Sequence, residues 1–250
     1  MTIVILSRTT SPLPEPTPSR TVNKPAGGLP GRRRARYNLS CASNLYPSPR
    51  PSPCRAPATR AGWLFEPKID GFRFQVLKDR DQVRLFSKSG AEYTDRLPRM
   101  VEWFRHLPSA SAVLDGELVY AGTDGRPRFY KLLYEMRTRW PDEDRMIYFV
   151  FDLLHEDGAD LRSLPLTERK HRLDRLCRRS KISIMKQVLT FPDGTILIEH
   201  CARLGFEGVV AKKVDRPYVS GPSKAWAKTK CPGWKRDNQE RFKLFEGHAR

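Results

Sequence analysis

The sequence is poor in cysteine pairs, in acidic residues and in long apolar runs. Its five cysteines are widely spaced and include no C-x-x-C pair, so the sequence predicts neither a disulfide framework nor a zinc ribbon. It contains no stretch of about 18 apolar residues, and we therefore expect no membrane-spanning helix and no membrane partner. The first ten residues lack the pattern of a secretory signal. A protein of the reducing cytosol fits these absences best.

Basic residues far outnumber acidic ones. The chain carries 46 Lys and Arg against 28 Asp and Glu, a formal net charge of +18. A surplus of this size favours polyanionic partners, with nucleic acid ahead of an anionic membrane surface. Charge alone does not separate a substrate from a non-specific counterion, so the choice depends on the motifs.

Residues 1–60 differ from the rest of the chain. They contain 11 of the 21 prolines, and ten Lys or Arg against the single acid Glu15. Such a composition buries too little apolar surface to offset the entropy of the chain. We therefore predict a disordered N-terminal segment over residues 1–60. Its basic run at 31–36 is interpreted either as a solvated charge run or as an arm that contacts phosphates.

Periodic patterns begin at Trp63 and predict a folded domain over residues 61–236, followed by a short tail at 237–250. Apolar alternation predicts strands in WLFEP, FRFQVLK, QVRLFS, AVLDGELVYAG, MIYFVFDLL and GVVAKKV. Turns are predicted at KIDG and DRDQ, and a loop at His155 and Glu156. Helices are predicted in LPRMVEWFRHL, in TERKHRLDRLCRR with Thr167 as N-cap, and in GTILIEHCARLG, which Gly205 ends. Strands and helices do not alternate regularly, which favours an α+β fold with antiparallel sheets and flanking helices.

The strongest chemical signal is the run Glu66-Pro67-Lys68-Ile69-Asp70-Gly71-Phe72-Arg73. A lysine held between a strand and an Asp-Gly turn, among other cations, can act as a nucleophile. By itself the run is equally compatible with a hairpin that has charged neighbours. Five further motifs follow in order: Ser87-Lys88-Ser89-Gly90, Asp115-Gly116-Glu117, Tyr148-Phe149-Val150-Phe151-Asp152, Glu207 to Lys212, and Trp226-Ala227-Lys228-Thr229-Lys230.

In this order and at these separations, the six motifs resemble those of the ATP-dependent DNA ligases, and most of all the bacterial end-joining type. The resemblance covers roughly residues 60–236. It implies an ATP-grasp-like nucleotidyltransferase domain that uses ATP and Mg²⁺ and acts on nicked or broken duplex DNA in a bacterial cytoplasm, in association with the nucleoid. Two alternatives remain open: an RNA ligase or GTP-using capping enzyme, and a non-enzymatic nucleic-acid-binding remnant.

The resemblance also implies a role for each motif residue. Lys68 corresponds to the lysine that attacks the α-phosphate of ATP and forms lysyl-AMP. Glu66 corresponds to an adenine contact, and Phe151 to the aromatic that stacks on adenine, although its pattern fits a core phenylalanine equally well. The remaining positions are Arg73 as a ribose or phosphate contact, Glu117 as a ribose or metal contact, Glu207 as a metal-associated carboxylate, and Lys212, Lys228 and Lys230 as cations around the α-phosphate.

The chain departs from the family pattern at two places. Lys88 stands where the family has an arginine, and a lysine lacks the planar fork that grips a phosphate through two hydrogen bonds. We expect weaker recognition of the nick as a result. The residues after Lys230 are too few for the five-stranded oligonucleotide-binding barrel that follows in ligases. We therefore expect an adenylation domain that seals poorly alone and works with a separate barrel-containing or end-joining protein.

Overall fold

The computed structural model describes residues 50–53, 61–138 and 141–238. Their strands form two sheets, which we call the small sheet and the large sheet. The small sheet has the order β1-β10-β9-β2, and the large sheet has the order β4-β3-β5-β6-β7, with β8 parallel to β6. The strands are β1 (Arg50–Pro53), β2 (Trp63–Lys68), β3 (Phe72–Asp79), β4 (Gln82–Ser87), β5 (Ser111–Tyr120), β6 (Met146–Glu156), β7 (Ala159–Asp160), β8 (Met185–Gln187), β9 (Gly208–Lys213) and β10 (Pro222–Lys230).

Five α-helices accompany the sheets in the described ranges: α1 (Pro98–Arg105), α2 (Phe129–Glu135), α3 (Leu166–Arg179), α4 (Gly194–Leu204) and α5 (Trp234–Asp237). Strand pairing is antiparallel except in the β1–β10 and β6–β8 pairs, which are parallel, and the predicted α+β class is confirmed. Gly205 ends α4 in the left-handed region at φ 76°, as predicted. None of these helices is long and apolar enough to cross a membrane.

Three hydrophobic clusters hold the described residues together. The largest packs α1 and α3 on the large sheet through side chains such as Phe104, Leu114 and Leu173. A second packs α4 on the small sheet around Phe65. A third joins the two sheets: Val113 and Leu154 come from the large sheet, Trp226 from the small sheet, and Tyr218 from the connector between β9 and β10. Because this third cluster joins the sheets, it sets the distance between their facing edges.

The structure corrects one predicted turn and one predicted loop. KIDG is not a hairpin turn, since β2 and β3 belong to different sheets and the segment crosses from one to the other. His155 and Glu156 are not in a loop, because β6 continues through Glu156 and pairs there with β7. Both errors have the same cause: local turn signals do not reveal which strands pair.

Thr167 is not the N-cap of α3. The cap position is Pro165, no side chain caps the helix, and Thr167 lies in its first turn. The backbone amide of Thr167 instead donates to the carbonyl of Val214 at 3.2 Å. A tertiary contact therefore satisfies the amide at this end of the helix.

The predicted disordered segment is wrong for residues 50–53. They form β1, which pairs in parallel with β10 and so extends the edge of the small sheet. The other residues of segment 1–60, apart from these four, lie outside the described residues, as do residues 239–250 of the predicted tail.

Candidate active site

An open cleft of about 630 Å³ lies where the two sheets face each other. The small sheet contributes Glu66, Lys68, Lys212 and Lys228, and the large sheet contributes Arg73, Glu117 and Phe151. Lys88 lines the cleft from the turn that follows β4. The structure thus brings eight of the predicted site residues to one cavity, and the last two, Glu207 and Lys230, adjoin it through ion pairs.

Lys68 is the last residue of β2, opposite Gly208 at the start of β9. Its amine is ion-paired with one carboxylate oxygen of Glu207, and Lys230 approaches the other oxygen at 3.2 Å. Burial disfavours the charge on Glu207, but these two cations prevail and lower its pKa. The carboxylate therefore holds the Lys68 amine at the cleft.

Gly208 is required where Lys68 and Lys230 meet Glu207. A Cβ atom on Gly208 would lie 2.0 Å from the carbonyl oxygen of Thr229 on β10. Only a residue without a side chain allows the strands to approach this closely. The glycine of the E-G-x-V-x-K motif thus lets Glu207 reach both lysines.

Glu66 is buried between two lysines. The alternation of side chains along β2 puts Glu66 on the same face as Lys68. One of its oxygens lies 2.7 Å from Lys212 on β9, and the other is ion-paired with Lys170 on α3. Burial lowers the pKa of Lys212 to about 8, although the charge of Glu66 opposes this effect. The group carries one net positive charge, which an anionic ligand would neutralise.

Arg73 is held rigidly at the other wall. Its guanidinium donates to both carboxylate oxygens of Asp115, at 2.9 and 2.6 Å. It also lies 5.1 Å from the ring centre of Phe151 and 5.4 Å from that of Trp226. These contacts fix the plane of the guanidinium, which suits it to recognise a polar ligand in one orientation.

Glu117 has an unusual environment for a carboxylate. It lies on β5 two residues after Asp115, and it lines the cleft. Burial raises the pKa of Glu117 to about 7, while the nearby charges of Lys68 and Arg73 counteract this rise. A group with such a pKa would gain from a cation placed beside it.

Phe151 is half-buried and lines the cleft, so it is not a core residue in the strict sense. The edge of its ring packs against Trp226 at 6.2 Å, and the Lys212 amine lies 4.4 Å from the ring centre. An aromatic face on a cleft wall is what stacking on a base requires. Among the described residues, no three or more His, Cys, Asp and Glu side chains are grouped as a ready metal site.

Several residues that shape the site were not found from the sequence. Lys170 and Arg169 lie on α3, outside the six motifs. Arg169 and Asp152 form a fully buried ion pair at 2.8 Å, and Arg169 also donates to the carbonyls of Leu164 and Arg216. Trp226 lies in the last of the six motifs, but the sequence did not indicate a role for it. Tyr218 had no sequence signal.

The cleft between the two sheets brings a lysine together with further cations and carboxylates, and this is the architecture of a nucleotidyltransferase domain. Residues 56–230 match the ATP dependent DNA ligase domain, and the chain belongs to this family. The relatives are DNA ligases, so the RNA ligase, capping and remnant alternatives are not favoured.

Known relatives support this assignment over the same region. A multifunctional non-homologous end joining protein LigD from Pseudomonas aeruginosa is 33% identical over 69% of this chain and 20% of its own length. A probable DNA ligase from Beutenbergia cavernae is 40% identical over 65% of this chain and 33% of its own length. The chain therefore spans a third or less of these curated relatives.

A solved structure of similar architecture is a mycobacterial DNA ligase D complexed with ATP and MES. It has a TM-score of 0.65 and 29% identity, over 73% of this chain and 59% of that one. The ligase domain of LigD from M. tuberculosis gives a TM-score of 0.63 and 30% identity, over 75% of this chain and 59% of that one. The ligase nucleotidyltransferase fold is thus confirmed.

Proposed function

We propose that this chain adenylates Lys68 with ATP and uses the AMP to seal nicks or breaks in duplex DNA. The observation that carries the proposal is the position of the Lys68 amine. It lies in the cleft, against the Glu207 carboxylate, with Lys212 and Lys228 on the same wall. A nucleophile surrounded by cations is what attack on a triphosphate requires.

In the first step the Lys68 nitrogen attacks the α-phosphorus of ATP. A nitrogen–phosphorus bond forms, the bond from the α-phosphorus to the bridging oxygen breaks, and pyrophosphate leaves. Before the attack, the Lys68 ammonium gives one proton to Glu207, the acceptor already in contact with it. A second proton leaves the nitrogen as the nitrogen–phosphorus bond forms, and the departing pyrophosphate or water accepts it.

The phosphates of ATP would lie among the cations of the cleft. Lys212 and Lys228 on neighbouring strands, with Lys230 beside Glu207, present positive charge from the small sheet. Arg73 and Lys88 present it from the opposite side. These charges oppose the negative charge that develops on the departing pyrophosphate.

Mg²⁺ is the metal that we assign to this chemistry, with Glu117 and Glu207 as its protein ligands. Mg²⁺ sites commonly use one or two carboxylates and complete their coordination with waters and substrate phosphates. Both carboxylates interact with Lys68, since Glu207 is ion-paired with it and the charge of Lys68 acts to lower the pKa of Glu117. Glu117 fits best, since burial raises its pKa to about 7 despite the charges of Lys68 and Arg73, and a cation bound beside it would favour its charged form. When bound, the metal would neutralise charge on the triphosphate.

The base would be recognised next to the phosphates. Phe151 offers an aromatic ring on the cleft wall for stacking. The Glu66 carboxylate, fixed by Lys170 and Lys212, offers an acceptor for the exocyclic amine of adenine. A guanine presents a carbonyl oxygen at the corresponding position, which a carboxylate repels. The site therefore favours ATP over GTP.

The two later steps transfer AMP to a 5′-phosphate and join that end to a 3′-hydroxyl with release of AMP. They require DNA held in register, and an error of about 1 Å can lower the rate on the order of a hundredfold. With a net charge of +18, the chain would hold DNA largely through phosphate contacts, which weaken steeply with salt. We propose that a separate barrel-containing or end-joining partner improves this step, and that the protein acts at the bacterial nucleoid.

The first test is mass spectrometry of the chain after incubation with Mg²⁺ and ATP. We expect one added AMP, located on the peptide that contains Lys68. Lys68→Ala and Lys68→Arg should both lack it, since a guanidinium stays protonated and cannot attack. An adduct that persists on Lys68→Ala would contradict the assignment of the nucleophile.

The second test is sealing of a nicked DNA duplex, followed by gel electrophoresis. We expect slow sealing that improves at low salt, because fewer counterions then compete for the phosphates. Rapid multiple-turnover sealing at physiological salt by this chain alone would contradict the need for a partner.

A further inference from the structure

A buried chain of hydrogen bonds lies behind Arg73. Tyr218, in the connector between β9 and β10, is 6% exposed and donates its hydroxyl to Oδ2 of Asp115 at 2.7 Å. Asp115 is fully buried on β5, and the same oxygen accepts from Arg73 at 2.6 Å. The orientation of the Asp115 carboxylate, and with it that of the Arg73 fork, therefore depends on the tyrosine hydroxyl.

Tyr218 itself has little freedom to move. Its backbone amide donates to the carbonyl of Arg162 at 2.8 Å, and its ring packs edge-on against Trp226 at 6.2 Å. Burial and the negative charge of Asp115 raise the pKa of Tyr218, so the hydroxyl keeps its proton and remains a donor. Trp226 also lies beside the Arg73 guanidinium. Tyr218 thus supports Arg73 in two ways, through a hydrogen bond and through packing.

We propose that Tyr218 is a positioning residue for nucleotide binding, which holds the Arg73 guanidinium through Asp115 in the orientation that contacts ATP. This inference rests on the proposed function of the cleft. A planar guanidinium recognises an oxygen acceptor only in a narrow range of orientations. Hydrogen bonds to a charged acceptor are the stronger ones, so the loss of the hydroxyl leaves Asp115 less well oriented.

The test compares Tyr218→Phe with Tyr148→Phe. Tyr148 is also fully buried, but its hydroxyl donates to the carbonyl of Phe74 within the large sheet, at 3.0 Å. Both substitutions remove one buried hydroxyl and keep the ring, so both should lower the melting temperature by a similar amount. A purely structural role predicts that they also have the same effect on self-adenylation.

We expect a difference in the dependence on ATP. Tyr218→Phe should raise the ATP concentration for half-maximal lysyl-AMP formation by roughly three- to tenfold. This is less than the full contribution of a hydrogen bond to a charged group, because the change reaches ATP only through Asp115 and Arg73. The rate at saturating ATP should stay within about twofold, because the change affects binding of the nucleotide. Tyr148→Phe should leave both quantities unchanged.

A double variant tests whether Tyr218 acts through Arg73. Arg73→Lys keeps the charge but loses the fork, so adding Tyr218→Phe to it should change the half-maximal ATP concentration no further. Additive effects in the double variant, or identical behaviour of Tyr218→Phe and Tyr148→Phe, would overturn the inference while wild-type adenylation stands. Absence of lysyl-AMP from the wild type would overturn the proposed function and this inference together.

Discussion

Glu117→Gln should make the protein more stable, in a way that depends on pH. Burial raises the pKa of Glu117 from 4.5 to about 7 in the folded chain, against the charges of Lys68 and Arg73. Between these two pH values the folded state holds a proton that the unfolded state has released. The free energy of unfolding of the wild type therefore falls as the pH rises through this window, and the fall ends above pH 7.

The size of the effect follows from this difference in pKa. At 1.36 kcal/mol for each pKa unit, the rise from 4.5 to about 7 corresponds to at most about 3 kcal/mol. A glutamine does not ionise, so Glu117→Gln avoids this loss. The variant should lie within about 1 kcal/mol of the wild type near pH 5 and exceed its free energy of unfolding by up to about 3 kcal/mol at pH 8.

The assay is urea unfolding from pH 5 to pH 8, with a chelator present and without nucleotide. Glu199→Gln, which removes an exposed carboxylate from α4, serves as the control and should follow the wild type throughout. Glu117→Gln should also lose self-adenylation, so stability and activity would change in opposite directions. A difference in stability from the wild type that is constant over this pH range, or that shrinks as the pH rises, would refute the reasoning.

Three further predictions concern Gly208, Lys212 and Lys170. Gly208→Ala should lower the free energy of unfolding by about 3 kcal/mol in urea titrations, because the alanine Cβ would lie 2.0 Å from the Thr229 carbonyl oxygen. An unchanged urea midpoint would contradict this. Lys212, with a pKa of about 8, should lose its charge between about pH 7 and about pH 9, so affinity for a non-hydrolysable ATP analogue should fall over this range in calorimetry. Lys170→Met should reduce the preference for ATP over GTP in self-adenylation, since Glu66 loses one of the two lysines that orient its carboxylate. An unchanged ratio of ATP to GTP activity would contradict this and show that Lys212 alone orients Glu66.

Residue patterns at short separations along the sequence determined much of what could be predicted. Periodic patterns predicted β2 to β6, α1, α3, α4 and β9, since burial of one face imposes a period of two on strands and about 3.6 on helices. The six motifs predicted the cleft residues because each chemical requirement is met by a residue type at a short, fixed spacing. Lys228 and Lys230, for example, reach the same region because alternate residues of β10 share a face.

Only the tertiary structure decided which charges meet. The pairs Lys68–Glu207, Glu66–Lys170 and Arg73–Asp115 join residues far apart in the chain, and no local pattern specifies such partners. Tyr218 and Lys170 could not be found from the sequence for this reason. The same limit made KIDG look like a hairpin and hid β1 inside a proline-rich segment. Spacing along the chain predicts which side of an element a residue occupies, whereas the packing of two sheets decides what that side faces.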